Sequence, residues 1–207
     1  MGQPIGADRL HDGGIAEEDA LRARFYAILA HVLGAPPSAE TLNAFGALEG
    51  DETDMGQALG TLAAVAAKTT VDAAGKEFDA LFVGAGQGGE LFPYKSYYLT
   101  GFLYEKPLAE LRGDMARLGI ENSGEVREPE DHIAAVLEMM HGLITGAFGE
   151  AADLETQREF FSDHIATWAP RFFEDLEAAK SSLLYVPVGT VGRVFMEIES
   201  EAFAMAA

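Results

Sequence analysis

The sequence predicts an all-α protein, a single bundle of about eight to ten helices. Apolar residues recur every three or four positions in one segment after another, the spacing of a helix that buries one face. Residues that start helices, such as Ser38 and Pro107, and residues that end them, such as Gly119, stand at the segment ends. No segment alternates apolar and polar residues for long enough to predict a sheet.

Four helices are predicted in the first part of the chain, after a flexible N-terminal arm at residues 1–15 that is rich in Gly. Acidic residues 17–19 open the first of these helices, and Gly34 ends it just before two prolines. Ser38 starts the second as an N-cap. The predicted ranges are about Glu17–Leu33, Ser38–Gly50, Asp54–Lys68 and Thr70–Phe82.

The segment Val83–Tyr94 is rich in Gly and has no apolar period. Gly84, Gly86 and Gly89 form a G-x-G-x-x-G pattern, but a dinucleotide site also requires a strand before it and a helix directly after it. A helical pattern precedes this one. We therefore interpret the segment as a flexible connector that ends in exposed aromatic residues. It is a candidate hinge (83–94) between two lobes of one helical domain at 16–207.

The remaining helices follow a short aromatic segment, Ser96–Tyr104, whose structure the pattern leaves ambiguous. Their predicted ranges are about Pro107–Leu118, Pro129–Phe148, Asp153–Trp168, a further turn from Pro170, and Val186–Met205.

The start of the helix at Pro129 is the first candidate site. Proline suits the first helical turn, and Glu128, Glu130 and Asp131 place negative charge at the positive end of the helix dipole. Helix capping explains these carboxylates but not His132, so the pattern favours a binding site. We expect Asp131 and His132 at the exposed mouth of the helix. Glu128 and His132 share a face and could pair, whereas Asp131 and His132 point apart and make a poor catalytic dyad.

Composition narrows the function further. There are 14 Lys and Arg against 34 Asp and Glu, a net charge of −20, which disfavours nucleic acid and anionic membranes and favours a cationic partner. Plain solubility explains such acidity equally well. No cysteine, no long apolar run and no export signal occur, so we expect a cytoplasmic protein without a membrane span.

No motif for catalysis or metal binding is present. The five histidines lack metal-ligand spacing, and His141 and His164 are interpreted as satisfied histidines inside packed helices. A cluster of aromatic residues between Phe78 and Tyr104 instead suggests a groove for an apolar ligand, because a Gly-rich loop cannot bury so many rings.

These residues resemble a known family, the Tat-associated redox-enzyme maturation chaperones of the TorD/DmsD type, with the NarJ-like chaperones as cousins. The resemblance is carried in order by Arg-Phe-Tyr-x-x-Leu-Ala at 24–30, Glu-Phe-x-x-Leu-Phe-Val-Gly at 77–84, Pro-Tyr-x-Ser-x-Tyr at 93–98, Glu-Pro-Glu-Asp-His at 128–132, and Gln157-x-x-Phe-Phe-x-x-His-x-x-x-Trp-x-Pro170.

The resemblance implies an all-helical chaperone without cofactors that is not an enzyme. It implies binding of the twin-arginine signal peptide, or the apo form, of a molybdoenzyme subunit until its cofactor is inserted. In the family, the residues matching Asp131, His132, Pro93 and Tyr94 are tied to peptide binding, although Trp is frequent at position 94. The candidate partner-binding residues are Glu128, Asp131, His132, Pro93, Tyr94, Phe92, Leu91 and Phe82.

Two alternatives stay open. One is a nucleotide-dependent or hydrolytic helical enzyme, since weak guanine-nucleotide binding has been proposed for proteins of this type. The other is a structural helical subunit of a redox-enzyme complex. The client could be a formate dehydrogenase, an N- or S-oxide reductase or another molybdopterin enzyme. The protein could be a monomer, or a dimer swapped at the Gly-rich hinge.

Overall fold

Ten α-helices account for most of the residues that the computed structural model describes, which are 10–11, 15–84, 88–121 and 128–206. The all-α prediction is confirmed. The helices are α1 Glu17–Gly34, α2 Ala39–Gly46, α3 Asp54–Ala66, α4 Val71–Phe78, α5 Lys95–Thr100, α6 Lys106–Leu118, α7 Ile133–Thr145, α8 Leu154–His164, α9 Ala169–Glu177 and α10 Tyr185–Met205.

Short polar side chains begin several of these helices as the sequence suggests. The Ser38 hydroxyl accepts a hydrogen bond from the Thr41 amide at 3.1 Å, and Asp153 caps α8 through the Thr156 amide at 2.8 Å. At the other end of α6, Gly119 adopts a left-handed φ of 70°. The Ile120 amide then donates to the Met115 carbonyl at 2.9 Å, the closure expected of a glycine-ended helix.

Several predicted boundaries are wrong. The helix predicted to reach Phe82 ends at Phe78 and continues as a π-helical turn, Asp79–Val83. The helix predicted from Pro129 begins four residues later, because His132 is extended, with φ −64° and ψ 140°. The other early ends are α2 at Gly46, α7 at Thr145 and α8 at His164.

One small pairing departs from the expectation that the chain has no sheet. Two strands of two residues each, β1 Leu10–His11 and β2 Ile15–Ala16, pair antiparallel just before α1. The rest of the predicted N-terminal arm lies outside the described residues. So do residues 85–87 of the predicted connector and residues 122–127, which precede the helix predicted from Pro129.

The core runs through the whole bundle. Helix α1 packs most extensively against α7, and α10 packs against α9. The largest fully buried side chains include Trp168, Tyr26, Tyr185, Phe172 and Phe173. Gly192 allows α10 to approach α9 closely, because a Cβ there would lie 2.2 Å from the Phe173 ring. Within the described part of the chain, no helix is both long and apolar enough to cross a membrane.

Candidate functional site

Two of the recognised motifs meet through the main chain. The Ile133 amide donates to the Pro93 carbonyl at 2.8 Å, and the Lys95 amide donates to the Asp131 carbonyl at 2.9 Å. These bonds form an antiparallel bridge in which Tyr94 and His132 face each other. Their ring centroids lie 5.2 Å apart, at an interplanar angle of 74°. We call the paired segments, 93–95 and 131–133, the backbone bridge.

The bridge also explains the late start of α7. Residues at 128–132 would need helical backbone angles to extend the helix toward Pro129, but the partner strand holds His132 extended. Main-chain groups at this point therefore bond to Pro93–Lys95 instead of to the first turn of a longer helix.

Tyr94 and Glu128 form the polar centre of the site. The Tyr94 hydroxyl donates a short hydrogen bond to Glu128 Oε2, and Glu128 is exposed. Burial raises the pKa of Tyr94 above its ordinary value, and the bond to Glu128 and the negative charge of that carboxylate raise it further. Tyr94 therefore stays a protonated donor at neutral pH.

The expectation that Asp131 is exposed at the mouth of the helix is wrong. Its exposed fraction is 1%. The Asp131 carboxylate accepts hydrogen bonds from the Ser96 amide at 2.8 Å and from the Ser96 hydroxyl at 2.5 Å. Ser96 lies in the first turn of α5, where amides lack helical partners, so Asp131 caps a helix from a distant segment.

The expectation that helix capping does not explain His132 is wrong, because His132 is the N-cap of α7. Its Nδ1 accepts from the Ala134 amide at 3.2 Å, so the ring is neutral and its proton is on Nε2. Burial lowers the pKa of His132 to about 4, although Glu128 and Asp131 act in the opposite direction. As predicted, Asp131 and His132 point to different partners. Glu128 accepts from Tyr94 and not from His132.

Several exposed apolar and aromatic residues follow Tyr94 in the chain. Phe92 packs against Tyr97, with ring centroids 4.9 Å apart. After α5, Phe102 is 69% exposed and Tyr104 is 72% exposed, and Tyr104 lies close enough to Tyr94 to help raise its pKa. We call Tyr97, Leu99, Phe102 and Tyr104 the aromatic surface.

The remaining predicted site residues belong to a second cluster. The Phe82 ring lies 5.1 Å from that of Phe78 and 5.5 Å from that of Tyr185. The Leu91 amide donates to the Leu81 carbonyl at 2.9 Å, which folds this segment back on the π-helical turn. The structure thus links Tyr94 directly to Glu128 and to His132. It groups Phe82 with α4 and α10, and it joins Leu91 to the π-helical turn.

Sequence reasoning missed Lys95. This lysine follows Tyr94 directly, yet only 2% of it is exposed, and its Nζ lies 2.8 Å from His164 Nδ1. Lysine is rarely buried, so its residue type predicts a surface position. His164 is a satisfied histidine, as predicted. In the part of the chain that the structure describes, no group of His, Asp or Glu is arranged to hold a metal.

Comparison with known proteins identifies the family. The family model described as "Nitrate reductase delta subunit" matches residues 48–174, a range that contains both segments of the backbone bridge. The chain belongs to this family, the TorD/NarJ family. The resemblance noted in the sequence is therefore confirmed.

Curated relatives in this family carry the name chaperone. The chain is 33% identical over 110 residues to the chaperone protein TorD of Photobacterium profundum, covering 49% of this chain and 50% of that protein. It is 26% identical over 136 residues to the TorD of Vibrio atlanticus, covering 62% of this chain and 63% of that protein. The chain thus spans less than two thirds of the length of these relatives. They are named chaperones and not enzymes, in agreement with the expectation from the sequence.

A solved structure has the same fold. A crystal structure of a proposed redox enzyme maturation protein from Archaeoglobus fulgidus superposes with a TM-score of 0.55 at 21% identity. The match covers 86% of this chain and 94% of that one. The helical architecture is therefore the fold of that solved structure.

Proposed function

We propose that this protein is a cytoplasmic chaperone that binds the twin-arginine signal peptide, or the apo form, of a molybdoenzyme catalytic subunit. It assists cofactor insertion before export and needs no cofactor of its own. Membership of a family whose curated relatives are chaperones supports the general role. The geometry around Tyr94 supports the choice of a basic and apolar peptide as the ligand.

The observation that carries the proposal is the exposed carboxylate of Glu128 bonded to Tyr94, with the exposed residues of the aromatic surface following Tyr94 in the chain. A twin-arginine signal is a basic segment followed by an apolar one. A carboxylate can accept charge-assisted hydrogen bonds from a guanidinium, and exposed rings can bury an apolar side chain. The net charge of −20 adds long-range attraction for the basic segment.

The roles of the candidate residues then differ. The Glu128 carboxylate contacts the basic segment of the peptide, Tyr94 contacts it through its ring, and His132 supplies a neutral ring beside them. Asp131 acts indirectly, because its carboxylate is buried and bonded to Ser96. Pro93 contributes its carbonyl to the backbone bridge, and Phe92 extends the rings toward Tyr97. Phe82 and Leu91 form a separate apolar contact for the rest of the client.

Calorimetric titration with a synthetic twin-arginine peptide tests the proposal. We expect binding by the wild-type protein and weaker binding of the same peptide with both arginines changed to lysine, since lysine cannot form the bidentate pair. Glu128→Gln should weaken binding about tenfold or more, because a charge-assisted bond is worth roughly 1.5 to 3 kcal/mol.

Glu138→Gln is the matched control, since Glu138 is an exposed carboxylate on α7. An equal loss of peptide affinity in Glu128→Gln and Glu138→Gln would assign the effect to net charge and would exclude Glu128 from the site. Absence of binding by the wild-type protein, together with saturable binding of a guanine nucleotide in the same experiment, would favour the nucleotide-dependent alternative. Co-purification of a stoichiometric partner without a signal peptide would favour a structural subunit.

A further inference from the structure

A chain of three polar side chains leads from the backbone bridge to the surface of α6. The Lys95 Nζ lies 2.8 Å from His164 Nδ1, and the His164 Nε2 lies 2.8 Å from Asp114 Oδ2. Lys95 and His164 are buried, and Asp114 is partly exposed beside Arg117. The carbonyl of His164 also accepts from the Trp168 indole at 2.7 Å, so the end of α8 is held in place.

The chemistry of the three groups determines the direction of each bond. An ammonium has only donors, so His164 Nδ1 accepts from Lys95. The His164 proton is then on Nε2 and is donated to the Asp114 carboxylate. Burial lowers the pKa of Lys95 below its ordinary value, whereas the negative charges of Glu110, Asp163, Asp114 and Asp131 act in the opposite direction and favour the ammonium. A second proton on His164 would place an N–H against the ammonium, so this arrangement requires the neutral ring.

Lys95 belongs to the bridge through its own main chain. It is the first residue of α5, and its amide donates to the Asp131 carbonyl. The next residue, Ser96, donates twice to the Asp131 side chain. Lys95 therefore connects segment 131–133, through its main chain, to His164 at the end of α8, through its side chain. His164 extends this connection to Asp114 on α6.

We propose that Lys95 is a positioning residue for the peptide site. Held by His164 and Asp114, its side chain fixes segment 93–95 against segment 131–133, so that Tyr94 faces Glu128 and His132. The consequence for peptide binding rests on the proposed function. The effect on the backbone bridge does not, and it can be measured in the protein alone.

Amide hydrogen exchange measures that effect. Lys95→Met keeps the length of the side chain and removes the ammonium. The Ile133 amide donates to Pro93 across the backbone bridge, and the Ser96 amide donates to the Asp131 carboxylate. We expect both amides to exchange at least tenfold faster than in the wild-type protein. Amides of buried α1 residues should be unchanged. Lys68→Met, at an exposed lysine after α3, is the control and should leave the Ser96 and Ile133 rates unchanged.

Two substitutions at His164 separate positioning from general stability. His164→Asn retains an acceptor near the place of Nδ1, for Lys95, but loses the link to Asp114. His164→Gln retains a polar group near the place of Nε2, for Asp114, but loses the acceptor for Lys95. We expect the Ser96 and Ile133 amides to exchange more slowly in the His164→Asn protein than in the His164→Gln protein. A purely structural role would give both variants the same loss of protection.

The outcomes distinguish this proposal from the proposed function. Unchanged exchange of the Ser96 and Ile133 amides in the Lys95→Met protein would overturn the positioning role. Faster exchange of these amides, with the peptide affinity of the Lys95→Met protein equal to that of the wild type, would also overturn it. If the wild-type protein binds no twin-arginine peptide, the proposed function fails while the exchange data still decide whether Lys95 orders the bridge. If Lys95→Met does not fold, the comparison of Asn with Gln at His164 decides instead.

Discussion

His132 combines two roles in one side chain. It caps α7 by accepting from the Ala134 amide, and it presents its ring to Tyr94. The cap requires an unprotonated Nδ1, and burial lowers the pKa of the ring to about 4. Protonation of this one residue would therefore weaken both the start of α7 and the ring contact in the site.

We expect His132 to make stability depend on pH. Its pKa is about 4 in the folded protein and ordinarily about 6.5, so between these values the unfolded chain binds more protons. The stabilisation is fully present above about pH 6.5 and is lost as the pH falls toward about 4. Denaturant unfolding at a series of pH values measures the slope of the free energy of unfolding against pH.

His132→Asn should reduce the slope, because Asn is a good N-cap that does not titrate. His31→Asn, at an exposed histidine, is the control and should leave the slope as it is. A wild-type slope in the His132→Asn protein would contradict the assignment.

In the proposed peptide complex, the Tyr94 hydroxyl would compete with an incoming arginine for the Glu128 carboxylate. We expect Tyr94→Phe, which keeps the ring but removes the hydroxyl, to bind a twin-arginine peptide as well as the wild-type protein or up to about tenfold more tightly. The range follows from the net value of a hydrogen bond, roughly 0.5 to 1.5 kcal/mol. Tyr94→Ala removes the ring as well and should weaken binding. Weaker binding by the Phe variant would show that the hydroxyl itself contacts the peptide.

The start of α5 depends on a carboxylate from outside the helix. Asp131 supplies the acceptor that the first turn of α5 lacks, whereas α2 and α8 are capped by neighbouring residues. Local sequence signals therefore found the cap of α2 and the start of α8. The start of α5 could not be predicted in the same way, because its cap lies 35 residues further along the chain.

We expect Asp131→Ala to destabilise the protein by roughly 1 to 3 kcal/mol, since it leaves the buried Ser96 donors without an acceptor. Asp131→Asn retains an acceptor and should cost clearly less. Thermal melts of both variants, with peptide affinity measured on the same preparations, check this. A large loss of affinity in a fully stable Asp131→Ala protein would instead support direct contact between Asp131 and the peptide.

The start of α7 and the burial of Lys95 show the same limit of local reasoning. Pro129 and its acidic neighbours are good helix-start residues, yet the bridge to Pro93 holds His132 extended and moves the start to Ile133. The buried Lys95 could not be predicted either, since only its distant partners His164 and Asp114 make burial acceptable.

At the scale of the whole molecule, the apolar period in the sequence predicted the architecture well. Helices such as α1 and α10 were predicted to within about a residue or two, because their buried faces are continuous over many turns. The candidate site was predicted less completely. The motifs identified Tyr94, Glu128 and His132, but residue spacing could not separate Phe82 and Leu91 from them.

The net charge of −20 should act on peptide binding as a long-range attraction. We expect affinity for a twin-arginine peptide to fall as salt is raised, since charges are screened over about 8 Å at physiological ionic strength. Contact with the aromatic surface is apolar and should persist. Titrations at low and high salt measure the effect, and an affinity that does not change would rule out the electrostatic contribution.

The backbone bridge also bears on how such a site can change over evolutionary time. Its defining bonds join main-chain groups of Pro93, Lys95, Asp131 and Ile133, and none of them uses the side chain at position 94 or 132. The residue at position 94 can therefore be exchanged without rebuilding the scaffold, whereas the side chain at position 132 also caps α7. In the proposed peptide site, ligand preference can therefore change at position 94 while the helices around it stay the same.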